Sequence, residues 1–415
     1  MYKMIIKQLW NERKGNVLIA LEMLVVSLFL WYAADALFAY YKVFTRPLGF
    51  DISNVYHIEM ATISQESADY DSTATNVDDF RTLLARLEES PWIESVCYTA
   101  GNHFPYRWGN QYATFSRDTL IRNGLVRHVS PEFFEVFRVN TIQGGKPEEL
   151  TQSLREGNVV LTGTLAQDFF GAASKAVRQE ILCTDQGDRD SVAYRIGGVC
   201  MPQRVNEFSR YDYAYYKSVP SWMFESNSVY LNTFIRVKPG ADGEDFPVKL
   251  RKEMEARMLL GNIYLKEIHK MTDYREDMLR RWVNDVRLYL SAVAFFLLNV
   301  LLGVVGTFWF RTQQRSGEMG LRMAMGATRR SIFLRLVGEG WILLSLVFIP
   351  VIFIFVNFMW MEIIQNPGLE YNNIMRFLIG LCFSYVVMAL MILAGISIPA
   401  YRSMRLHPAE ALRDE

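Results

Sequence analysis

The sequence predicts an α-helical membrane protein with four transmembrane helices and a large mixed α/β extracytoplasmic domain, built as a split β-α-β layer with an inserted subdomain. Three observations predict it. The stretches 288–310, 340–361 and 377–401 contain no Asp, Glu, Lys or Arg. A fourth apolar run lies near the N-terminus. Between the first run and the second, residues 42–285 carry the mixed periodicities of strands and amphipathic helices.

Each uncharged stretch reaches the roughly 20 apolar residues that cross a hydrocarbon core about 30 Å thick. The N-terminal run, residues 17–41, holds Glu22 within the span and Asp35 toward its far end. It continues into the bulky, aromatic WYAADALFAYY. That tract suits a membrane interface and lacks a small-residue cleavage site, so we read an uncleaved signal anchor. The expected order is a cytoplasmic N-terminus (1–16), helix 1 (17–41), the outer domain (42–285), helix 2 (286–310), a cytoplasmic segment (311–335), helix 3 (336–361), a short outer loop (362–376), helix 4 (377–401) and a cytoplasmic tail (402–415).

Orientation follows from the basic residues. Lys3, Lys7, Arg13 and Lys14 precede helix 1, six arginines from Arg311 to Arg335 lie between helices 2 and 3, and Arg402, Arg405 and Arg413 follow helix 4. The positive-inside bias places both termini and 311–335 in the cytoplasm, with 42–285 outside a bacterial inner membrane. Arg280 and Arg281 argue the other way, but a long translocated domain crosses largely regardless of charge.

Within the outer domain, DISNVYHIEM alternates as a strand. TNVDDFRTLLARLEESPW then places Val77, Phe80, Leu83, Leu84 and Leu87 on one helical face, with Asn76 as N-cap and Pro91 as stop, and IESVCYTA follows as a strand. A second unit reads SVYLNTFIRVK (strand), DFPVKLRKEMEARMLL (helix; Phe246, Leu250, Met254, Met258) and NIYLKEIHKM (strand). Two β-α-β units flanking residues 103–225 suggest a ferredoxin-like layer with a second subdomain set into it. In that insertion, NEFSRYDYAYYKS is dense in tyrosine. Its rings either pack the subdomain or present a binding surface for cargo or a partner.

Several chemistries find no support. Forty-four basic residues balance forty-four acidic ones, so charge gives no nucleic-acid footprint. There is no GxxxxGK[ST] phosphate cradle, no HExxH, no CxxC and no GxSxG, and His57, His103, His128, His269 and His407 lack metal-ligand spacing. No catalytic or metal residue is therefore expected. Four cysteines are too few for a disulfide scaffold. Cys183 and Cys200 close two strand-like runs around TDQGDRD and are candidates to pair across a hairpin, a point that sequence leaves open. Glu22, and Glu339 early in helix 3, are the candidate intramembrane polar sites.

The stretch RSGEMGLRMAMGATRR, Arg315 to Arg330, separates helices 2 and 3. Read as a helix, it sets Met319 beside Met323 and Gly320 beside Ala324, and Glu318 can pair with Arg322 at i,i+4. Gly326-Ala327-Thr328 breaks that helix, with Thr328 able to cap the next one. A short helix with a smooth face and a charged face suits docking in a groove of another protein.

Arg315 to Ala327 resembles the R-x-x-E-I-G-I-R-x-A-x-G-A signature of the MacB/FtsX-like ABC permeases. The tail PAYRSMRLHPAEALRDE resembles that family's closing PA-x-x-A-x-x-x-x-P-x-E-A-L-R. Glu339 sits as in the family's F-L-x-E pattern, and VSPEFFEVFRVNTIQGG, VVLTGTLAQDFFG and IRVKPG resemble landmarks of the MacB periplasmic core. Ser403, Met404 and His407 depart from the usual tail residues.

The resemblance implies a permease subunit of mechanotransmission type, whose segment after helix 2 contacts a cytoplasmic ATPase. Glu318, Met319, Gly320, Arg322, Met323 and Gly326 would form that contact. No ATPase domain is fused in this sequence, so the resemblance implies a separate ATPase dimer holding ATP and Mg²⁺, with no cofactor on this chain. It also implies a second permease chain, the same or different, and leaves room for a periplasmic or outer-membrane partner. Cargo would be exported or extracted without passing between the helices. Two other outcomes fit the same fold, regulation of a cell-wall hydrolase and lipoprotein sorting. From another class, a ligand-sensing receptor with no ATPase would leave the 315–327 and 399–413 stretches unexplained.

Overall fold

The structure is a computed structural model that describes residues 13–107, 111–187, 190–243, 245–314, 321, 325–361 and 374–403. In chain order the elements are α1 (Arg13–Phe44), β1 (Val55–Thr62), α2 (Asn76–Glu88), β2 (Ile93–Thr99), β3 (Tyr112–Arg117), β4 (Leu120–Val129), α3 (Phe133–Val136), α4 (Pro147–Arg155), β5 (Val159–Thr162), α5 (Gly163–Phe170), β6 (Glu180–Asp185), β7 (Val192–Cys200), β8 (Ala214–Ser218), α6 (Ser221–Asn227), β9 (Asn232–Val237), α7 (Phe246–Arg257), β10 (Ile263–Lys270), α8 (Met271–Gln314), α9 (Arg329–Trp360) and α10 (Ile374–Ser403). They form two compact units: a helical unit, up to Phe44 and from Trp282 onward, and an α/β unit, Thr45–Arg281.

In the helical unit, four helices are long and apolar enough to cross a membrane, over Ile19–Phe44, Met271–Gly303, Arg330–Phe358 and Ile374–Ser397. Helices α1, α9 and α10 share one apolar core, with Met23, Leu344, Val351, Met388 and Ile392 fully buried. In lipid, such helices associate through close packing and interhelical hydrogen bonds, since the tails are as apolar as the side chains. Here Trp31 stacks on Phe355 with ring centroids 3.9 Å apart, and the Trp31 indole N–H donates to the Phe377 carbonyl at 3.4 Å. Trp341 donates likewise to the Ala389 carbonyl at 3.2 Å. Helix α8 keeps most of its apolar window outside this core. It meets α1 through ring contacts, Phe29 with Phe296, Tyr32 with Tyr289 and Tyr40 with Trp282.

The α/β unit holds one ten-stranded sheet in the order β10-β1-β9-β2-β4-β3-β6-β7-β5-β8. The strands of the two β-α-β units interleave as β10-β1-β9-β2, all antiparallel. One face is covered by α2 and α7, with Phe80, Leu83, Leu87 and Leu250 buried against Tyr56, Ile58 and Ile235. Burial of a ring such as Phe80 contributes roughly 1.5–3 kcal/mol. Thr75, not Asn76, occupies the N-cap of α2, and it does so without a side-chain hydrogen bond. Residues 228–230 form a 3₁₀ turn, so β9 begins only at Asn232. The opposite face packs on α3 and α4 through Phe133, Phe134, Phe137 and Leu154.

The insertion is continuous with this sheet, joined where Thr99 of β2 pairs with Val129 of β4. Its six strands close into a ring, because β4 also pairs in parallel with β8. Closure leaves those strands no free edge. Phe115, Leu161, Ile181, Ile196 and Tyr215 fill the interior.

Candidate functional site

The expected ATPase-contact residues fall unevenly on the structure. Glu318, Met319, Gly320, Arg322 and Met323 lie outside the described residues, whereas Leu321, Met325 and Gly326 lie within them. The Met325 N–H donates to the Leu321 carbonyl at 3.0 Å, Met325 and Gly326 lie in a turn, and the Leu321 and Met325 side chains are exposed. Gly326 then takes φ 96, a left-handed value that a residue with a Cβ rarely adopts, and ends that turn. Two residues on, Thr328 caps α9: its Oγ1 accepts from the Ser331 N–H at 3.3 Å, and its carbonyl accepts from Ile332. The left-handed glycine and the cap therefore stand where the residue types place them, and the helix expected before them lies mostly outside the described residues.

The two acids expected within the membrane helices have different neighbours. Glu22 on α1 lies against Gly303 on α8, where an added Cβ would come 2.6 Å from its Oε2. Glu339 is 4% exposed and receives the Arg335 Nε at 3.5 Å, one turn away on α9. A third acid has a partner that sequence reading missed. Asp35, one turn beyond Trp31, is bound bidentately by the Arg376 guanidinium at the start of α10. The spacing of Trp31 and Asp35 on α1 against adjacent Arg376 and Phe377 on α10 is the only local signal that could have suggested it.

The pairing of Cys183 with Cys200 is not found; both are free thiols. The β6–β7 hairpin sets Cys183 opposite Val192. Cys200 lies eight residues further along β7, about 26 Å at strand rise. It pairs instead with Thr162 of β5. Burial pushes each thiol up to about 12, so both stay protonated and are poor nucleophiles.

The tyrosine tract divides between the two roles open to it. Tyr215 is fully buried in the core of the insertion, and Tyr216 in the cluster that packs the sheet on α3 and α4. Tyr211 and Tyr213 instead line a cavity of about 320 Å³, together with Phe50, Phe104, Arg107 and Arg127. Arg127 is held by Asp212 at 2.7 Å and by the Gln203 amide oxygen at 3.0 Å. His103, at the same cavity, accepts from the His128 N–H through Nδ1 at 3.2 Å. Burial, with Arg127 adding to it, lowers His103 to about 4, so the ring is neutral at pH 7. The lining thus combines aromatic faces with an arginine, Arg127, that is already fixed in place.

Comparison with known proteins finds two domain families along the chain. Residues 36–252 match the MacB-like periplasmic core domain, and residues 290–408 match the FtsX-like permease C-terminal domain. The solved structures to which the chain is similar include a permease domain and two periplasmic or extracellular domains. One is a domain of a permease protein from Porphyromonas gingivalis (14% identity, TM-score 0.35, 54% of this chain and 92% of that one). Another is the periplasmic region of MacB from Actinobacillus actinomycetemcomitans (11%, 0.31, 59% and 98%). The third is the extracellular domain of the noncanonic ABC-type transporter YknZ from Gram-positive bacteria (9%, 0.29, 51% and 100%). No curated protein matches. The two domain matches, one on the α/β unit and one on the last three helices, place this chain in the MacB/FtsX-like family of ABC transporter permeases.

Proposed function

We propose that the chain is the permease subunit of a mechanotransmission-type ABC transporter and that it uses a separate cytoplasmic ATPase. The observation that carries this reading is the stretch between α8 and α9. An exposed apolar turn at Leu321 and Met325 ends in the left-handed Gly326, and α9 restarts at the Thr328 cap. A short docking helix bounded by a break can move against its partner without unwinding the membrane helix that follows.

In this reading, closure of the ATPase dimer on ATP and Mg²⁺ displaces residues 316–327, with both termini in the cytoplasm. Helix α8 runs without interruption from Met271 to Gln314, so movement at its cytoplasmic end is carried along one element into the outer domain. A second permease chain completes the assembly, and the four outer strands β10-β1-β9-β2 act as a ferredoxin-like layer bearing the insertion. The cavity at Tyr211 and Tyr213 takes a side chain of the cargo or of a periplasmic partner. The chain itself is non-catalytic, and export or extraction takes place outside the membrane.

Co-purification tests the proposal. The full chain, expressed with a candidate ATPase, is expected to retain it in detergent and to stimulate its hydrolysis in proteoliposomes. If none of the ATPases of the source cell is retained, the reading fails.

A further inference from the structure

β10 is the edge strand of the sheet, and its register on β1 sets Glu59 opposite Glu267 and His57 opposite His269. Residues directly opposite in an antiparallel pair share a face, and like charges in that position destabilise the pair. The two carboxylates are therefore an arrangement that needs a cation. Lys266 supplies one, donating to Glu59 Oε1 at 2.7 Å. The remaining oxygens converge on His269. Its Nε2 lies 2.8 Å from Glu267 Oε2 and 3.7 Å from Glu59 Oε2. All three ligand atoms fall within 4.8 Å of one another.

Among the described residues, this is the one group of three such side chains with that convergence. The side chains are between 34% and 51% exposed, open enough for entry and for water to complete a coordination shell. The ladder also shifts register between Glu59 and Met60, and such bulges re-aim the side chains beside them.

We propose that Glu59, Glu267 and His269 form a binding site for a divalent transition-metal ion, of which Zn²⁺ is the probe. Bonds of about 2.0–2.2 Å to imidazole and carboxylate in a tetrahedral shell put neighbouring ligand atoms roughly 3.3–3.5 Å apart. Of the separations, 2.8 Å falls below that value and 3.7 Å above it, and the third is no more than 4.8 Å, so side-chain shifts of about half an ångström to an ångström would seat the ion. An imidazole beside two carboxylates favours zinc and its neighbours over magnesium and calcium, which take oxygen alone. Lys266, on the other oxygen of Glu59, would orient that ligand from outside the coordination shell.

His57 is not a ligand in this arrangement. It is buried beneath the group, and its Nδ1 lies 2.8 Å from the Tyr274 hydroxyl. The ion would fasten the edge strand to β1 immediately before Met271, where α8 begins.

Zn²⁺ titration of the untagged full chain in detergent, with Mg²⁺ and Ca²⁺ titrated in parallel, tests the site. Wild type is expected to bind one Zn²⁺ saturably, with affinity falling by about tenfold or more in His269→Ala and in the near-isosteric Glu267→Gln. Zn²⁺ should also raise the melting temperature of wild type and not of the variants, which separates loss of a ligand from loss of fold. Three results would each overturn the proposal. One is no saturable Zn²⁺ binding by wild type, which leaves His269 as a bridge between carboxylates and nothing more. Another is unchanged affinity in both variants, and the third is equal affinity for Ca²⁺ or Mg²⁺.

Discussion

Asp35 and Arg376 form a bidentate ion pair between the first and last membrane helices, with their side chains only 4% and 14% exposed. An acid and a base within helices this apolar are tolerated because each supplies what the other needs. Removing one partner leaves the other buried and uncompensated, at a cost on the order of 3–5 kcal/mol. Asp35→Leu and Arg376→Leu are each expected to lower thermal stability in detergent. The double variant should recover most of that loss, as measured by a double-mutant cycle. Additive single effects would show that the pair is not coupled.

Arg236 makes the corresponding prediction in the outer domain. It sits 1% exposed on β9, and its guanidinium donates to the carbonyls of Val136 at 2.6 Å, Ser53 at 2.7 Å and Asp51 at 2.7 Å. It thereby ties the entry loop of the domain to α3 and the sheet. Arg236→Lys keeps the charge but cannot reach three carbonyls from one planar fork. Arg236→Lys is expected to destabilise the domain by roughly 1–3 kcal/mol, and Arg236→Ala by more. Chemical denaturation followed by tryptophan fluorescence reads the difference.

Three buried histidines set an acid limit on the outer domain. Burial lowers His57 to about 4, with His269 adding to the effect, and burial followed by Lys217 lowers His128 to about 3. His103 lies at about 4 for the reason given above. Between these values and the ordinary value near 6.5, the unfolded chain binds protons that the folded chain refuses, so stability rises with pH across that window. Their contribution is complete above about pH 6.5, and it is lost as pH falls toward 4. A melting temperature that drops steeply between pH 6.5 and 4.5 is expected, and the drop should be shallower in His128→Asn. A flat profile would contradict the burial of these rings.

The sequence and the fold correspond unevenly, for a physical reason. The membrane helices and the amphipathic α2 were legible because hydropathy and 3.6-residue periodicity are local properties. The Gly326 break and the Thr328 cap were legible for the same reason, since one residue type meets one backbone need. Partner choice was not local. Asp35 and Arg376 are 341 residues apart, and only the packing of α1 on α10 brings them together. Cys183 and Cys200 looked paired because a hairpin was correctly expected but its register was not known; a strand's register decides which residues meet. The closed ring of the insertion depends on parallel pairing of β4 with β8, which no short-range pattern announces. Glu59, Glu267 and His269 were invisible as a group because the chain returns to β1 only after the whole insertion.

Residues 316–327 are proposed to pass force between the ATPase and this permease, and reversing the charges in that segment is the decisive experiment. Wild type and Glu318→Lys/Arg322→Glu, each reconstituted with the partner ATPase, are compared for retention of the ATPase and for stimulated hydrolysis. The double variant, with unchanged thermal stability, is expected to lose retention or to fall to the unstimulated rate. Undiminished retention and full stimulation in that variant would contradict the proposal.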